Sequence, residues 1–131
     1  MKDLEIFIII ENFYIISNNN IIMNTNQQLN LKNILLKALK SKLNYSDYIT
    51  LILYENWETI CGAEIGGKTK PKAFNKDILT ISVDNPVLSF ELGFNKEGLI
   101  NKVNNYLFSL EKEKTFIEKH IAVKAIKFIN S

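Results

Sequence analysis

The sequence predicts an α+β fold in the element order α-α-β-β-α-α-β. Three observations carry that expectation. Leu, Ile and Val recur at three- and four-residue spacing in several separate stretches, the period of amphipathic helices. Residues 78–84 (ILTISVD) alternate apolar and polar at period two, and residues 121–129 (IAVKAIKFI) are apolar and β-branched, as strands are. Asn85-Pro86 marks the point where the first of these strands gives way to a helix.

Taken in order, the chain opens on an apolar run, Leu4 to Ile16, interrupted by Glu5, Glu11 and Asn12. A membrane span needs about 20 apolar residues, so this run is too short and too charged. It also lacks the basic start and small-residue cleavage site of a signal peptide. Ser17-Asn18-Asn19-Asn20 breaks it, and Met23 opens a stretch that reads as an ordinary N-terminus. Two readings stand side by side: an over-long gene start with Met23 as the biological first residue, or a genuine extra strand or amphipathic arm. Residues 1–28 are therefore set apart as an N-terminal extension from a domain at 29–131.

Leu31, Leu35, Leu39 and Leu43 predict the first helix, with Ile34 and Ala38 widening its stripe. Ser46 is expected to cap the second, with Asp47 near its positive end. Its stripe is Ile49, Leu53, Trp57 and Ile60, and Gly62 stands where a left-handed C-cap is wanted. Residues 63–70 read as a loop or extended lead-in. Pro71 forbids a helix interior, so 69–74 is read as a strand, Asn75-Lys76-Asp77 as a turn and 78–84 as the second strand. Leu79, Ile81 and Val83 share one face of it. Asn85 caps and Pro86 opens the third helix, in which Leu88 and Leu92 share a face up to Gly93. Asn95 is expected to cap the fourth, with Leu99, Val103, Leu107 and Leu110 as its stripe. Glu111-Lys112-Glu113-Lys114 reads as a solvated connection to the last strand, in which Ile126 and Phe128 share a face.

Composition excludes several chemistries. All 16 basic residues are Lys, so no guanidinium fork can read a base edge or clamp a carboxylate. With one Cys (Cys61) and one His (His120), a Cys/His zinc site built from this chain is excluded. Any hydrolytic triad would need His120, for which no catalytic partner stands out. Cys61 reads as a small buried hydrophobe. A net charge of +2 is too weak to prove a nucleic-acid partner.

Gly62 to Thr69 (GAEIGGKT) matches the phosphate-loop pattern at every fixed position. The mechanism needs a strand before the loop and a helix after it, because the helix N-terminus and nested N–H groups hold the phosphates. Here a helix precedes and Pro71 follows, so no nucleotide site is expected. Lys68, Lys70 and Lys72 alternate through the first strand, with Lys76 in the turn. At period two they would stand on one face and could track a phosphate backbone. The plain alternative is a Lys-studded edge that resists sheet-to-sheet aggregation. Phe74 shares their parity, so the row is not cleanly polar. Tyr45, Tyr48, Tyr54, Phe90 and Phe94 could stack on bases, although helical spacing favours packing for them.

The stretch from Trp57 to Phe128 resembles the DciA family of bacterial replicative-helicase loaders. The family pattern of Trp, an apolar pair and Gly appears as Trp57, Ile60-Cys61 and Gly62. An apolar-small pair, a His-Thr pair and a Pro appear as Ile65-Gly66, Lys68-Thr69 and Pro71. The alternating strand, a Glu-Leu helix end (Glu91-Leu92), a Leu-rich helix with a late Asn (Leu99, Ile100, Asn104) and a final Ile-x-Phe (Ile126, Phe128) follow in order. Lys68 stands where the family usually has His, and the disordered tail of many members has no counterpart after Ser131. The resemblance implies a fold like the type II KH domain, a small sheet covered on one face by helices, together with DNA binding and contact with a DnaB-type replicative helicase. The usual Gly-x-x-Gly clamp of that fold is missing, since the helix junction runs from Gly93 to Gly98.

The resulting expectation is a non-enzymatic, cytoplasmic, nucleoid-associated protein that loads or operates the helicase. It would bind single-stranded or junction DNA weakly through Lys68, Lys70, Lys72 and Lys76. Helicase contacts are expected from apolar residues off the core stripes: Phe90, Phe94, Tyr106 and Phe108. Trp57, Gly62, Thr69, Pro71, Glu91 and Leu92 are expected to be mainly structural. No catalytic residue, metal, cofactor, nucleotide or membrane is expected. A KH-like RNA-binding module and a small cytoplasmic enzyme are the competing readings.

Overall fold

A two-residue turn organises the sheet. The computed structural model describes residues 34, 36, 39, 40, 42–114, 116, 117 and 119–130. The expectations for residues 1–28 and for Met23 lie outside them. Strands β1 (Thr69–Asn75) and β2 (Ile78–Val83) are joined by Lys76 and Asp77. Both turn residues have positive φ, 51° and 66°, the left-handed pair whose twist suits a tight antiparallel hairpin. The turn sets Asn75 opposite Ile78 and Phe74 opposite Leu79. β3 (Ala125–Asn130) lies parallel to β2 on its other side, with Leu79 opposite Ile126 and Ile81 opposite Phe128. The sheet is therefore mixed, in the order β1-β2-β3. A parallel pair needs a long crossover, and the segment that contains α4 (Pro86–Gly93) and α5 (Lys96–Glu113) provides it.

Leu79, Ile81 and Val83 are fully buried, as their alternation predicts. β1 departs from simple alternation. Its register shifts between Pro71 and Ala73, a β-bulge that leaves Lys72 without a regular partner. The extra residue reverses parity, so Pro71 and Phe74 are both buried although an even count would put them on opposite faces. The mixed polarity of the Lys row in the sequence is the trace of this bulge.

Two compact units are distinguished, residues 1–48 and 49–131. In the first, residues 34, 36, 39 and 40 are helical. Leu36 is buried and Ile34 is exposed, so Ile34 does not widen the buried stripe. The sequence of residues 31–39 holds six apolar residues, and periodicity alone cannot choose between faces there. Asn44, not Ser46, caps α1 (Tyr45–Glu55): its Oδ1 accepts from the Asp47 N–H at 2.9 Å and its Nδ2 donates to the Asp47 carboxylate at 2.9 Å.

In the second unit the expected long helix is broken. Asn56 turns its Nδ2 back to the Ile52 carbonyl at 2.8 Å, and α2 (Trp57–Cys61) starts afresh. Gly62 has positive φ as expected, but at φ 91° and ψ 158° it is extended, not a left-handed helical cap. That region is open almost only to Gly. The expected loop then proves to be a helical turn, α3 (Ala63–Gly66). Gly66 permits it: a Cβ there would lie 2.9 Å from the Glu58 Cα.

Asn85 caps α4 through Oδ1, which accepts from the Leu88 N–H at 2.8 Å, and Pro86 opens the helix. Asn95 stands at the cap of α5 but makes no capping bond, because its backbone (φ −127°, ψ 32°) is not extended as a capping Asn requires. Leu99, Val103, Leu107 and Leu110 are all buried. α2 packs on α5, and α4 lies against β2 and β3. Glu111–Glu113 form the last turn of α5, capped by left-handed Lys114, so they are not a connection; Glu and Lys are good helix formers and exposed. The last strand begins at Ala125, later than expected. Before it, the Asn104 side chain imitates a strand partner: Nδ2 donates to the Val123 carbonyl at 2.9 Å and Oδ1 accepts from its N–H at 2.7 Å. No helix among the described residues is long and apolar enough to cross a membrane.

Candidate functional site

The hairpin carries the lysines and a buried relay holds its base. The Trp57 indole N–H donates to the Thr69 hydroxyl at 2.8 Å, and that hydroxyl donates to the Ile65 carbonyl at 2.7 Å. Trp57 and Thr69 are both 2% exposed, so an indole N–H that burial would otherwise orphan is satisfied. The relay ties α2, α3 and β1 together at the residue flanked by Lys68 and Lys70. Pro71 is buried opposite Ile81. Glu91 is exposed and Leu92 half-buried.

In the same geometry the polar groups of the phosphate-loop pattern are engaged within the chain. The N–H groups of Gly66, Gly67 and Lys68 donate to the carbonyls of Gly62, Ala63 and Ile65. The Thr69 hydroxyl, which would have to reach a metal ion, is spent in the relay. A strand follows, not a helix.

Lys68, Lys70, Lys72 and Lys76 are all exposed, but they do not form one straight row. Lys68 sits in the turn before β1, and its carbonyl accepts from the Asp84 N–H at 3.1 Å. Lys70 stands opposite Ser82 on the face away from Leu79 and Ile81. Its ammonium lies 5.1 Å from the centre of the Tyr54 ring, within cation–π range. Lys72 occupies the bulge and Lys76 the hairpin tip. Lys124, by contrast, is neutralised at 3.5 Å by Asp77. Lys127 escaped the sequence reading. It is exposed and stands opposite Thr80, on the same sheet face as Lys70. Its signal was present, because Ile126 and Phe128 on one face put Lys127 on the other.

A second surface is apolar. Phe90 and Phe94 are 69% and 78% exposed and meet edge to face with centroids 4.9 Å apart. Packing does not account for them, contrary to what their helical spacing favours. Val87, also exposed, precedes Phe90 by three residues and so joins the same side of α4; it was not singled out from sequence. Phe108 on α5 is exposed beneath the Lys112 ammonium, 4.9 Å from its ring centre. Tyr106 is only half-buried, not exposed, and burial, with Glu113 adding to it, pushes its hydroxyl up to about 12. Tyr48 is buried, and Tyr45 and Tyr54 are half-buried.

Burial pushes the Cys61 thiol up to about 12, against a smaller opposing pull from Lys102, so it is a protonated, poor nucleophile at neutral pH. His120 is exposed, with Nδ1 2.9 Å from the Glu111 carboxylate. Among the described residues no cluster of His, Cys, Asp and Glu could hold a metal ion. The described residues thus include exposed lysines at the hairpin and an exposed aromatic cluster on α4.

A protein-family model described as "Dna[CI] antecedent, DciA" matches residues 30–112, which take in every element from α1 to all but the last residue of α5. No curated protein matches the chain.

Proposed function

The chain belongs to the DciA family, and from that premise we propose that it is a non-enzymatic accessory protein that loads or operates the DnaB-type replicative helicase while holding DNA. The family is associated with loading of that helicase. The family match, which spans both the Lys hairpin and the aromatic side of α4, is the observation that carries the reading.

In this reading the protein is KH-like of the second type: a helix, a hairpin, two helices and a last strand parallel to the middle one. DNA is held chiefly by phosphate contact, through Lys68, Lys70, Lys72 and Lys76, since no Arg is present to fork onto a base edge. Such binding is weak and salt-dependent. The helicase docks on Val87, Phe90 and Phe94, an exposed aromatic cluster of the kind that centres protein interfaces. The work of translocation comes from the helicase, and the protein acts in the cytoplasm, at the nucleoid.

The test is co-elution of the full chain with the same organism's helicase, with and without single-stranded DNA. A complex that Phe90→Glu weakens, with unchanged thermal stability, supports the reading. No complex with the intact chain at concentrations on the order of micromolar, in the range of transient protein pairs, removes helicase loading.

A further inference from the structure

The pairing of β3 with β2 creates a surface that neither strand shows alone. Across the face turned away from Leu79 and Ile81, Lys70, Ser82 and Ile129 form one row, and Ala73, Thr80 and Lys127 the next. Asn75, Ile78 and Ala125 form the third. None of these residues is acidic. Lys70 and Lys127 are exposed, Ser82 between Lys70 and Ile129 is buried and Thr80 half-buried, and Ile78 and Ile129 are 42% and 38% exposed. Aliphatic side chains on a sheet face ordinarily seek cover.

We propose that this outer sheet face is a binding surface for single-stranded DNA, with phosphates on Lys70 and Lys127 and unpaired bases over Ile78 and Ile129. The inference rests on the DNA-binding reading above and extends it from the hairpin to the third strand. Charge decides the sign of the ligand: two ammoniums with no carboxylate between them select a polyanion. The aliphatic positions decide its form. A duplex presents sugar and phosphate outward and hides its base faces, so Ile78 and Ile129 would meet only solvated, charged backbone. A single strand presents apolar base faces together with phosphates. The spacing suits a strand that crosses the sheet: Lys70 and Lys127 are two strands and two residues apart, about 12 Å between backbone positions. The Tyr54 ring beneath Lys70 holds one of the two charges in place.

The experiment is fluorescence anisotropy of the full chain with a labelled thymidine oligonucleotide, over a salt series, beside a duplex of equal length. Lys70→Gln and Lys127→Gln are each expected to weaken binding several-fold and to lower the slope of log K against log salt by about 0.7. Ile78→Asn and Ile129→Asn should weaken single-strand binding at unchanged slope, since they remove no charge. If an isoleucine variant loses its circular dichroism signal, the Lys127→Gln arm alone decides. Binding that is indifferent to Lys127 and Ile129 but lost with Lys68, Lys72 and Lys76 together overturns the sheet face and leaves the hairpin reading intact. Equal binding of duplex, with silent isoleucine variants, overturns the single-strand assignment. Polyglutamate competing as well as the oligonucleotide assigns the face to an acidic protein segment instead. No binding of any oligonucleotide by the intact chain at low salt removes the DNA reading itself.

Discussion

Replacing Thr69 with Val keeps the side-chain shape and deletes one oxygen. That oxygen accepts the Trp57 indole N–H at 2.8 Å and donates to the Ile65 carbonyl at 2.7 Å. The two lost bonds are not equivalent. Ile65 keeps a second donor, the Lys68 N–H at 3.1 Å, so losing the hydroxyl costs it one ordinary bond, about 1 kcal/mol. The indole N–H is buried and no second acceptor stands beside it in the relay, so leaving it unsatisfied costs about 1–3 kcal/mol. The sum is about 2–4 kcal/mol, which in a domain of this size lowers Tm by roughly 10–20 °C. Thermal and urea unfolding followed by circular dichroism measure it. Thr69→Ser, which keeps the oxygen, should cost much less. In a Trp57→Phe background the N–H is already gone, so the further cost of Thr69→Val should fall to that of the Ile65 bond. Because Thr69 lies between Lys68 and Lys70, the variant should also weaken DNA binding. A Thr69→Val protein as stable as the parent, or one that loses equally in both backgrounds, refutes the relay as the anchor of β1.

Gly66→Ala should cost about 1–3 kcal/mol in urea unfolding, since its Cβ would fall 2.9 Å from the Glu58 Cα and α2 and α3 must separate. Asn104→Leu should be destabilising by about 2–4 kcal/mol, as both bonds to the buried Val123 are lost and its backbone groups are left unpaired; faster amide exchange at Val123 would identify the cause. Stability should fall in alkali. The Cys61 thiol is raised by burial to about 12 in the folded chain, whereas the unfolded thiol ionises near its ordinary 9. Its contribution is therefore complete below pH ~9 and is lost as pH climbs from there towards 12. Cys61→Ala should flatten that part of a Tm-versus-pH curve and leave the part between pH ~10 and 12 that Tyr106 supplies in the same direction.

What could be read from the sequence was what neighbours in the chain decide. The Asn85-Pro86 helix start and the Leu99, Val103, Leu107, Leu110 stripe depend on contacts within a turn or two and appear as expected. Elements set by distant partners were obscured. AEIG reads as a loop because Gly disfavours helix, yet the close approach of Glu58 makes Gly66 the residue that fits. The bulge at Lys72 exists only relative to β2, and its one sign was a Phe at the wrong parity. Of the candidate residues, Lys68, Lys70, Lys72 and Lys76 are singled out by charge and Phe90, Phe94 and Phe108 by exclusion from the stripes, and all are exposed. Lys127 was passed over because its relation to Lys70 arises only when β3 pairs with β2. Val87 was passed over because a residue just after Pro86 reads as a helix start.

The parallel placement of β3 also orders events in time. The β1–β2 hairpin closes through a two-residue turn, a contact formed within microseconds. β3 pairs Ile78 with Ala125, so its loop closes only after the crossover helices have condensed. Such non-local pairing comes late in folding. We expect β3 to belong to the least protected cooperative unit of the sheet. Native-state hydrogen exchange would test this: Lys127 and Phe128 amides should exchange through a smaller opening than Leu79 and Ile81. The outer face would then dissolve and reform many times within the lifetime of one folded molecule, while the hairpin and its lysines persist. A bound strand would slow that opening, so ligand would register first as protection at the last strand.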